Sequence, residues 1–157
     1  MTVPPTPQSS DTESHPPQAM MEALKGVVLA MPMARTPGLC FVHAEPGRVE
    51  VGIPVSEAFS FRPGQLQATA VFAVAAAGSV LPPGCTNATV DTTLKIVTPA
   101  QGERLRARGR VVDAGRLLTV CSADVWAVDA AGQERLCATL LATARNIDTG
   151  APRPPRG

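Results

Sequence analysis

The spacing of apolar residues changes along this chain from a helical period to a two-residue alternation. Over residues 19–31 apolar side chains recur every three or four positions, which predicts a helix that Pro32 ends. Further along, apolar and polar residues alternate, and this pattern predicts six strands with one buried face each: residues 38–44, 48–55, 86–98, 104–113, 117–128 and 133–146. Apart from the long connection after residue 55, the links between strands are short and contain glycine. We therefore expect consecutive strands to pair antiparallel.

A second apolar segment, residues 61–84, follows the first two strands and lacks this alternation. Small apolar residues cover nearly all sides of its central part. Pro63-Gly64 opens that part, and Pro82-Pro83-Gly84 closes it. A helix that is apolar on all sides is a buried one, so we predict a central helix over residues 64–81.

Composition places the chain among soluble single-domain proteins. Hydrophobic residues make up 45% of it, charged residues 17%, and the net charge is +1, so neither nucleic acid nor a membrane surface is expected as a partner. Residues 1–17 and 149–157 are rich in proline and polar residues, which predicts flexible tails around a domain over residues 18–148. Because no secretory signal or spanning segment is visible, we expect a cytoplasmic location.

The cysteines favour buried thiols over a metal site. Cys40, Cys85, Cys121 and Cys137 lie within or beside apolar segments, and no pair has the C-x-x-C spacing. The histidines are His15 and His43 alone, so the ligand set of a structural zinc site is not expected. Free thiols in a core are typical of a reducing compartment.

Three motifs resemble the hotdog-fold acyl-CoA thioesterases, specifically the phenylacetate-pathway, 4-hydroxybenzoyl-CoA thioesterase-like type. Leu81-Pro82-Pro83-Gly84 is similar to the turn after that family's central helix, and Thr89-Val90-Asp91, with Pro99-Ala100 beyond it, is similar to its next strand. Residues 102–112 resemble the following strand almost throughout. The resemblance implies an α+β fold, in which a curved antiparallel sheet wraps around the central helix, with an additional N-terminal helix. It also implies a homodimer whose sheets join, assembled further into a homotetramer.

The chemistry that the resemblance implies needs two elements at the central helix. Backbone N–H groups at the helix start hold the developing oxyanion of the thioester, and a carboxylate about two turns later acts as base or nucleophile. The family's His-Gly-Gly corresponds here to Arg62-Pro63-Gly64, and the acid position falls on Val71 or Phe72. Proline has no N–H, and neither Val71 nor Phe72 moves a proton, so this chain departs from the family at both elements.

Other residues are candidates for these two roles. The amides of Gly64 and Gln65 lie at the predicted helix start, where they either hold a thioester oxygen or simply form the first turn of the helix. Glu57, in the preceding loop, and Asp91, on the following strand, are the candidate acids for activating water, the alternative being solvated or ion-paired carboxylates. Asn87 and Thr89 have the same parity as Asp91, so we predict that all three share one face.

Arginines are the candidates for coenzyme A contact. Arg62 lies beside the helix start, Arg106 and Arg108 belong to a strand in which arginine alternates with apolar residues, and Arg116 lies in the next turn. Guanidinium groups suit phosphates, although a solvated strand face that keeps the sheet soluble gives the same pattern.

The resemblance therefore predicts an acyl-CoA thioesterase with atypical catalytic residues and no cofactor beyond the coenzyme A of its substrate. The alternative is a protein that binds acyl-CoA or another acyl ligand without catalysis, having lost the helix acid. A hotdog hydratase or dehydratase is the third hypothesis. Such enzymes pair an Asp with a His at short spacing, and His43 has no such neighbour.

Overall fold

The computed structural model describes residues 18–57, 60–62, 65–66 and 85–150. Their elements, in chain order, are α1 (Gln18–Ala30), α2 (Pro32–Arg35), β1 (Cys40–Glu45), β2 (Arg48–Pro54), β3 (Ser60–Arg62), β4 (Gln65–Leu66), β5 (Cys85–Ile96), β6 (Arg104–Ala114), β7 (Leu118–Val128) and β8 (Glu134–Asp148). Each of the six predicted strands is present, with ends within two residues of those expected. Among the described residues, no helix is both long and apolar enough to cross a membrane.

The six long strands form one antiparallel sheet in the order β1-β2-β6-β7-β8-β5. Strands joined by tight turns pair with each other, as predicted for β1 with β2, β6 with β7, and β7 with β8. The same prediction is wrong for β5 and β6, because β5 pairs with β8 instead.

The link from β5 to β6 explains this difference. The N–H groups of Val97 and Thr98 both donate to the carbonyl of Cys137 on β8, and Glu103 N–H donates to Val128 O at the end of β7, 2.9 Å away. The linker therefore crosses the ends of β8 and β7 before entering β6, so its short length and its glycine do not produce a hairpin.

One face of the sheet, the core face, carries the buried residues. Residues directly opposite in an antiparallel ladder point to the same side, and Val51, Ala107, Val125 and Ala138 form one such row across four strands, each at most 2% exposed. Val28 of α1 and the buried Ala34 of α2 pack into the same core. The opposite side of the sheet, the outer face, carries the arginines of β6.

Residues 60–66 differ from the predicted helix start. Ser60 is opposite Leu66, and Arg62 is opposite Gln65, so these residues form a small antiparallel pair, β3·β4. The expectation that Gln65 belongs to the first turn of a helix is therefore wrong. The physical reason is that Pro-Gly, the sequence between Arg62 and Gln65, favours a tight turn as well as a helix start. The remainder of the predicted central helix, residues 67–81, lies outside the described residues.

Replacing glycine by alanine is expected to change the stability of the fold in opposite directions at two positions. A Cβ on Gly102, whose φ is +158°, would lie 2.5 Å from the carbonyl oxygen of Val128, an atom fixed within the β5–β6 linker contacts. Gly102→Ala is expected to destabilise the fold by about 1–3 kcal/mol, since backbone has to move. A Cβ on Gly26, inside α1, meets nothing within 4 Å, so Gly26→Ala is expected to stabilise by about 0.5–1 kcal/mol. Urea unfolding of the two variants beside the wild type measures both, and an unchanged midpoint for Gly102→Ala would contradict the linker geometry.

Candidate functional site

Among the described residues, the predicted site residues are distributed over several strands and both faces of the sheet. Gly64 lies outside the described residues, and Arg62 and Gln65 face each other across β3·β4. Glu57 is exposed beyond the end of β2, and Arg116 is exposed between β6 and β7. The remaining candidates belong to β5 and β6, where the ladder register decides which face each side chain occupies.

A register shift in β5 separates Asp91 from its two predicted neighbours. Thr89 is opposite Ala144 of β8, whereas Asp91 is opposite Thr143, so the pairing slips by one residue between them. Ala144 belongs to the core face, because it is buried and opposite the buried Thr119. Thr89 therefore lies on the core face and Asp91 on the outer face. The prediction that both share one face is wrong, because a bulge reverses the parity of every residue beyond it.

Asn87 instead lies beside a polar cluster that sequence reasoning missed. Asn87 is opposite Asn146 of β8, on the core face. The hydroxyl of Thr119, only 2% exposed, donates to Asn146 Oδ1 at 2.9 Å. Asn146 Nδ2 in turn donates to Gly115 O at 2.9 Å, and its backbone N–H donates to Leu117 O at 2.8 Å. An asparagine at the end of the last predicted strand was the signal for this cluster in the sequence.

Asn146 and Thr119 keep hydrogen-bonding capacity beyond their contacts with the described residues. An amide nitrogen carries two hydrogens, and the described contacts of Asn146 Nδ2 use one of them. The Thr119 hydroxyl donates its hydrogen but keeps two lone pairs. We define the core-face cluster as Asn87, Thr89, Thr119 and Asn146. Its chemistry is that of neutral donors and acceptors, suited to a carbonyl or hydroxyl group.

Arg106 and Arg108 are neutralised by carboxylates on the outer face. Glu134 accepts Arg106 Nη1 at 2.9 Å and both terminal nitrogens of Arg108 at 2.8 Å. Glu50 lies 3.0 Å from Arg106 Nε and 3.4 Å from Arg108 Nε. The Arg108 guanidinium also lies over Trp126, 5.7 Å from the ring centroid. These contacts favour the structural interpretation of both arginines over coenzyme A contact.

The electrostatics of this network agree with its geometry. The hydrogen bond from Arg108, followed by the charges of Arg108 and Arg106, lowers the pKa of Glu134 despite some desolvation. The same hydrogen bond raises the pKa of Arg108. Both groups are therefore held in their charged forms, and neither is poised to exchange a proton near neutral pH.

Of the cysteines whose side chains the structure describes, Cys121 and Cys137 are buried as predicted, whereas the prediction of a buried thiol is wrong for Cys40, which is exposed near the start of the edge strand β1. Burial raises the pKa of both the Cys121 and the Cys137 thiol, which favours the unreactive protonated form. Cys137 Sγ lies 3.2 Å from Val125 O within the core. In the part of the chain that the structure describes, no group of three or more His, Cys, Asp and Glu side chains is arranged to hold a metal ion.

Comparison with known proteins gives matches among solved structures. No family model and no curated protein matches the sequence. A thioesterase family protein from Silicibacter pomeroyi is 29% identical with a TM-score of 0.74, over 81% of this chain and 97% of that one. A protein from Ralstonia eutropha JMP134, described as a candidate thioesterase related to phenylacetic acid degradation, is 25% identical with a TM-score of 0.65, over 78% and 98%. A Haemophilus influenzae thioesterase is 20% identical with a TM-score of 0.68, over 82% and 91%.

This chain resembles the hotdog-fold thioesterase superfamily. The similarity confirms the resemblance found in the sequence motifs, and the longest of those motifs, residues 102–112, forms most of β6. The six-stranded antiparallel sheet is consistent with the hotdog-like thioesterase fold.

The Glu134 network predicts a pH-dependent effect of Glu134→Gln. Ionised Glu134 has a lowered pKa in the folded state, so its stabilisation is present above pH 4.5, the ordinary carboxyl value, and is lost as pH falls through the lower folded value. At pH 7 the variant is expected to lose about 0.5–1 kcal/mol, as for partly exposed ion pairs. Below pH 4.5 the difference from wild type should close.

Urea unfolding from pH 7 to pH 3 measures this difference, with the fluorescence of Trp126 as a local probe. Asp124→Asn is the matched control, because Asp124 is an exposed acid opposite Arg108 that forms no ion pair with the described residues. A stability difference for Glu134→Gln that stays constant over the whole pH range would contradict this account.

Proposed function

We propose that this protein binds an acyl-CoA thioester at the interface of a homodimer and hydrolyses it. The observation that supports this most is the similarity to the Silicibacter thioesterase family protein over nearly that protein's entire length. The expectation of a coenzyme A substrate comes from the sequence motifs. No further cofactor and no metal enter the proposal.

The proposed dimer forms through β5. This strand has 12 residues, stands at one end of the sheet, and pairs only with β8 among the described strands. A long unpaired strand edge exposes a row of backbone donors and acceptors that a second copy satisfies. Antiparallel pairing of two β5 strands about a twofold axis would join two six-stranded sheets, and two such dimers would form the proposed tetramer.

Size-exclusion chromatography with light scattering measures this association. The wild type is expected to elute as a dimer or tetramer. Thr92→Pro and Thr93→Pro each remove one backbone donor in the middle of β5, and the N–H groups of adjacent strand residues point to opposite edges. One of the two variants is therefore expected to weaken the association, while the other, its matched control, disturbs pairing with β8. A wild type that is monomeric at assay concentration would contradict the dimer.

The core-face cluster is the proposed contact for the acyl thioester carbonyl. Asn87 and Thr89 belong to β5 and therefore lie next to the proposed interface. The second hydrogen of Asn146 Nδ2, for which the described part of the chain gives no acceptor, offers a donor of the kind that stabilises a developing oxyanion. The amides of Gly64 and Gln65, together with Arg62 and Arg116, stay in the proposal as further contacts for the substrate.

Both candidate acids stand apart from the core-face cluster within one subunit. Asp91 projects from the outer face, on the opposite side of the sheet from the core-face cluster. Glu57 follows β2 at the sheet end where β8 begins, whereas Asn146 lies 12 residues along β8, roughly 30–40 Å away at the rise of an extended strand. Hydrolysis by Glu57 therefore requires a site to which two subunits contribute, whereas a continuous sheet joined through β5 keeps Asp91 on the outer face of both subunits.

This geometry favours the second candidate function, acyl-CoA binding without catalysis. Val71 stands at the family's acid position, and neither candidate acid faces the core-face cluster in the described part of one subunit. A binding protein needs the donors and the apolar core face but not the acid.

A variant panel separates the two functions. Release of free thiol is measured over short-chain, medium-chain and aromatic acyl-CoAs, and acyl-CoA-induced stabilisation is measured in parallel. If the protein hydrolyses thioesters, Asp91→Asn or Glu57→Gln lowers kcat at least a hundredfold, while the outer-face control Asp124→Asn does not. Asn87→Ala is expected to raise KM or lower kcat at least tenfold.

The two functions also differ in the wild type. No turnover, with acyl-CoA raising Tm in the wild type and less in Asn87→Ala, would support binding alone. A wild type that neither turns over nor is stabilised by any of these thioesters contradicts both functions.

A further inference from the structure

The β2·β6 ladder places like charges directly opposite each other at one position of the outer face. Glu50 is opposite Arg108 and Gly52 is opposite Arg106, and these steps belong to the network closed by Glu134. One step further along the same face, Arg48 is opposite Arg110. Directly opposed like charges destabilise a ladder. The ion pairs of Glu50 and Glu134 involve Arg106 and Arg108, so they do not offset the repulsion between Arg48 and Arg110.

No acid of the described residues neutralises this pair. Neither Arg48 nor Arg110 forms an ion pair within that part of the chain, and both side chains are exposed. Glu45 is opposite Arg48 on β1, but its carboxylate lies 3.5 Å from His43 Nε2. Glu50 and Glu134 are already shared between Arg106 and Arg108. Among the described residues, Arg48 and Arg110 therefore form no ion pair, and the nearest acids of the ladder are Glu45, opposite Arg48, and Asp124, opposite the neighbouring Arg108.

The backbone holds the two arginines in fixed positions. Arg48 begins β2 immediately after Gly47, whose φ of +77° makes the tight turn from β1, and Val111 N–H donates to Gly47 O at 2.8 Å. Opposed residues of a ladder have Cα atoms about 4.5–5.5 Å apart, so both guanidinium groups can reach one anion. Ser122 of β7 is opposite Arg110 and adds a hydroxyl donor to the same row.

We propose that Arg48, Arg110 and Ser122 form a binding site for a phosphate group. Guanidinium groups bind phosphate oxygens through paired, charge-assisted hydrogen bonds, and two of them balance a doubly charged phosphate. The ligand is either the nucleotide portion of coenzyme A, in which case the inference rests on the proposed function, or a free phosphate or pyrophosphate. Phosphate contact thus belongs to Arg48 and Arg110 rather than to Arg106 and Arg108, which are already neutralised.

Calorimetric titration of the full-length protein with inorganic pyrophosphate tests the site, at constant ionic strength so that screening does not change. The variants are Arg48→Gln, Arg110→Gln and the double substitution. Arg145→Gln is the matched control, since Arg145 is exposed on the same face, opposite Leu118, without an ion pair among the described residues. Each single variant is expected to weaken binding at least tenfold, and the double variant to abolish it, while Arg145→Gln binds as the wild type does.

Thermal unfolding without ligand shows whether each variant is folded. Removing one of two repelling charges should leave Tm unchanged or higher, so a loss of binding in a variant of normal Tm supports the site. Equal pyrophosphate affinity in the wild type and the double variant would overturn it, as would a wild type that binds no pyrophosphate.

Competition identifies the source of the phosphate. Displacement of pyrophosphate by coenzyme A, lost in the double variant, assigns the site to the coenzyme's phosphates, and dephospho-coenzyme A tests its 3′-phosphate. Pyrophosphate binding without competition assigns the site to free phosphates. If the double variant still hydrolyses acyl-CoA or is still stabilised by it, the proposed function holds and the coenzyme binds elsewhere. Failure of the phosphate site is therefore distinguishable from failure of the proposed function.

Discussion

The hydrogen-bond register of the antiparallel sheet decides which side chains of this protein can act together. Each row of directly opposed residues shares a face, so the row from Val51 to Ala138 makes a continuous core while the next rows collect arginines and glutamates on the other side. A slip of one residue changes the face of everything beyond it. The slip between Thr89 and Asp91 therefore has a larger effect on the site than any single side chain.

Charge on the outer face is organised by the same register. Glu50 enters from β2 and Glu134 from the start of β8, and together they hold Arg106 and Arg108 between them, with Arg108 over Trp126. Both acids form their ion pairs within this network, and Arg48 and Arg110, one step away, form none with the described residues.

The sequence predicted the strands well because alternation is a local property. The segment expected over residues 104–113 is β6, Arg104–Ala114, and the other strands agree as closely. Pairing order and faces are not local. The hydrogen bonds of residues 97–103 to Cys137 and Val128 carry the chain past two strands, and nothing in the linker's length or its glycine reveals these distant acceptors. The bulge in β5 likewise depends on β8. Asn146 and Thr119 became a candidate site only when the ladder placed them beside Asn87.

The position of β5 at the end of the sheet connects the fold to the chemistry. The strand carries Asn87 and Thr89 on the core face and Asp91 on the outer face, and its free edge lies along the proposed interface. Two β5 strands paired antiparallel would bring the beginning of one beside the end of the other, and so would bring residues from opposite ends of two sheets close together. A subunit whose Glu57 lies at the far end of the sheet from its polar cluster can bring that acid to a hydrolytic site only in this way. If no residue of a partner subunit supplies the acid that Val71 replaces, the core-face cluster and the apolar core face can still bind an acyl group. The fold then serves recognition without turnover.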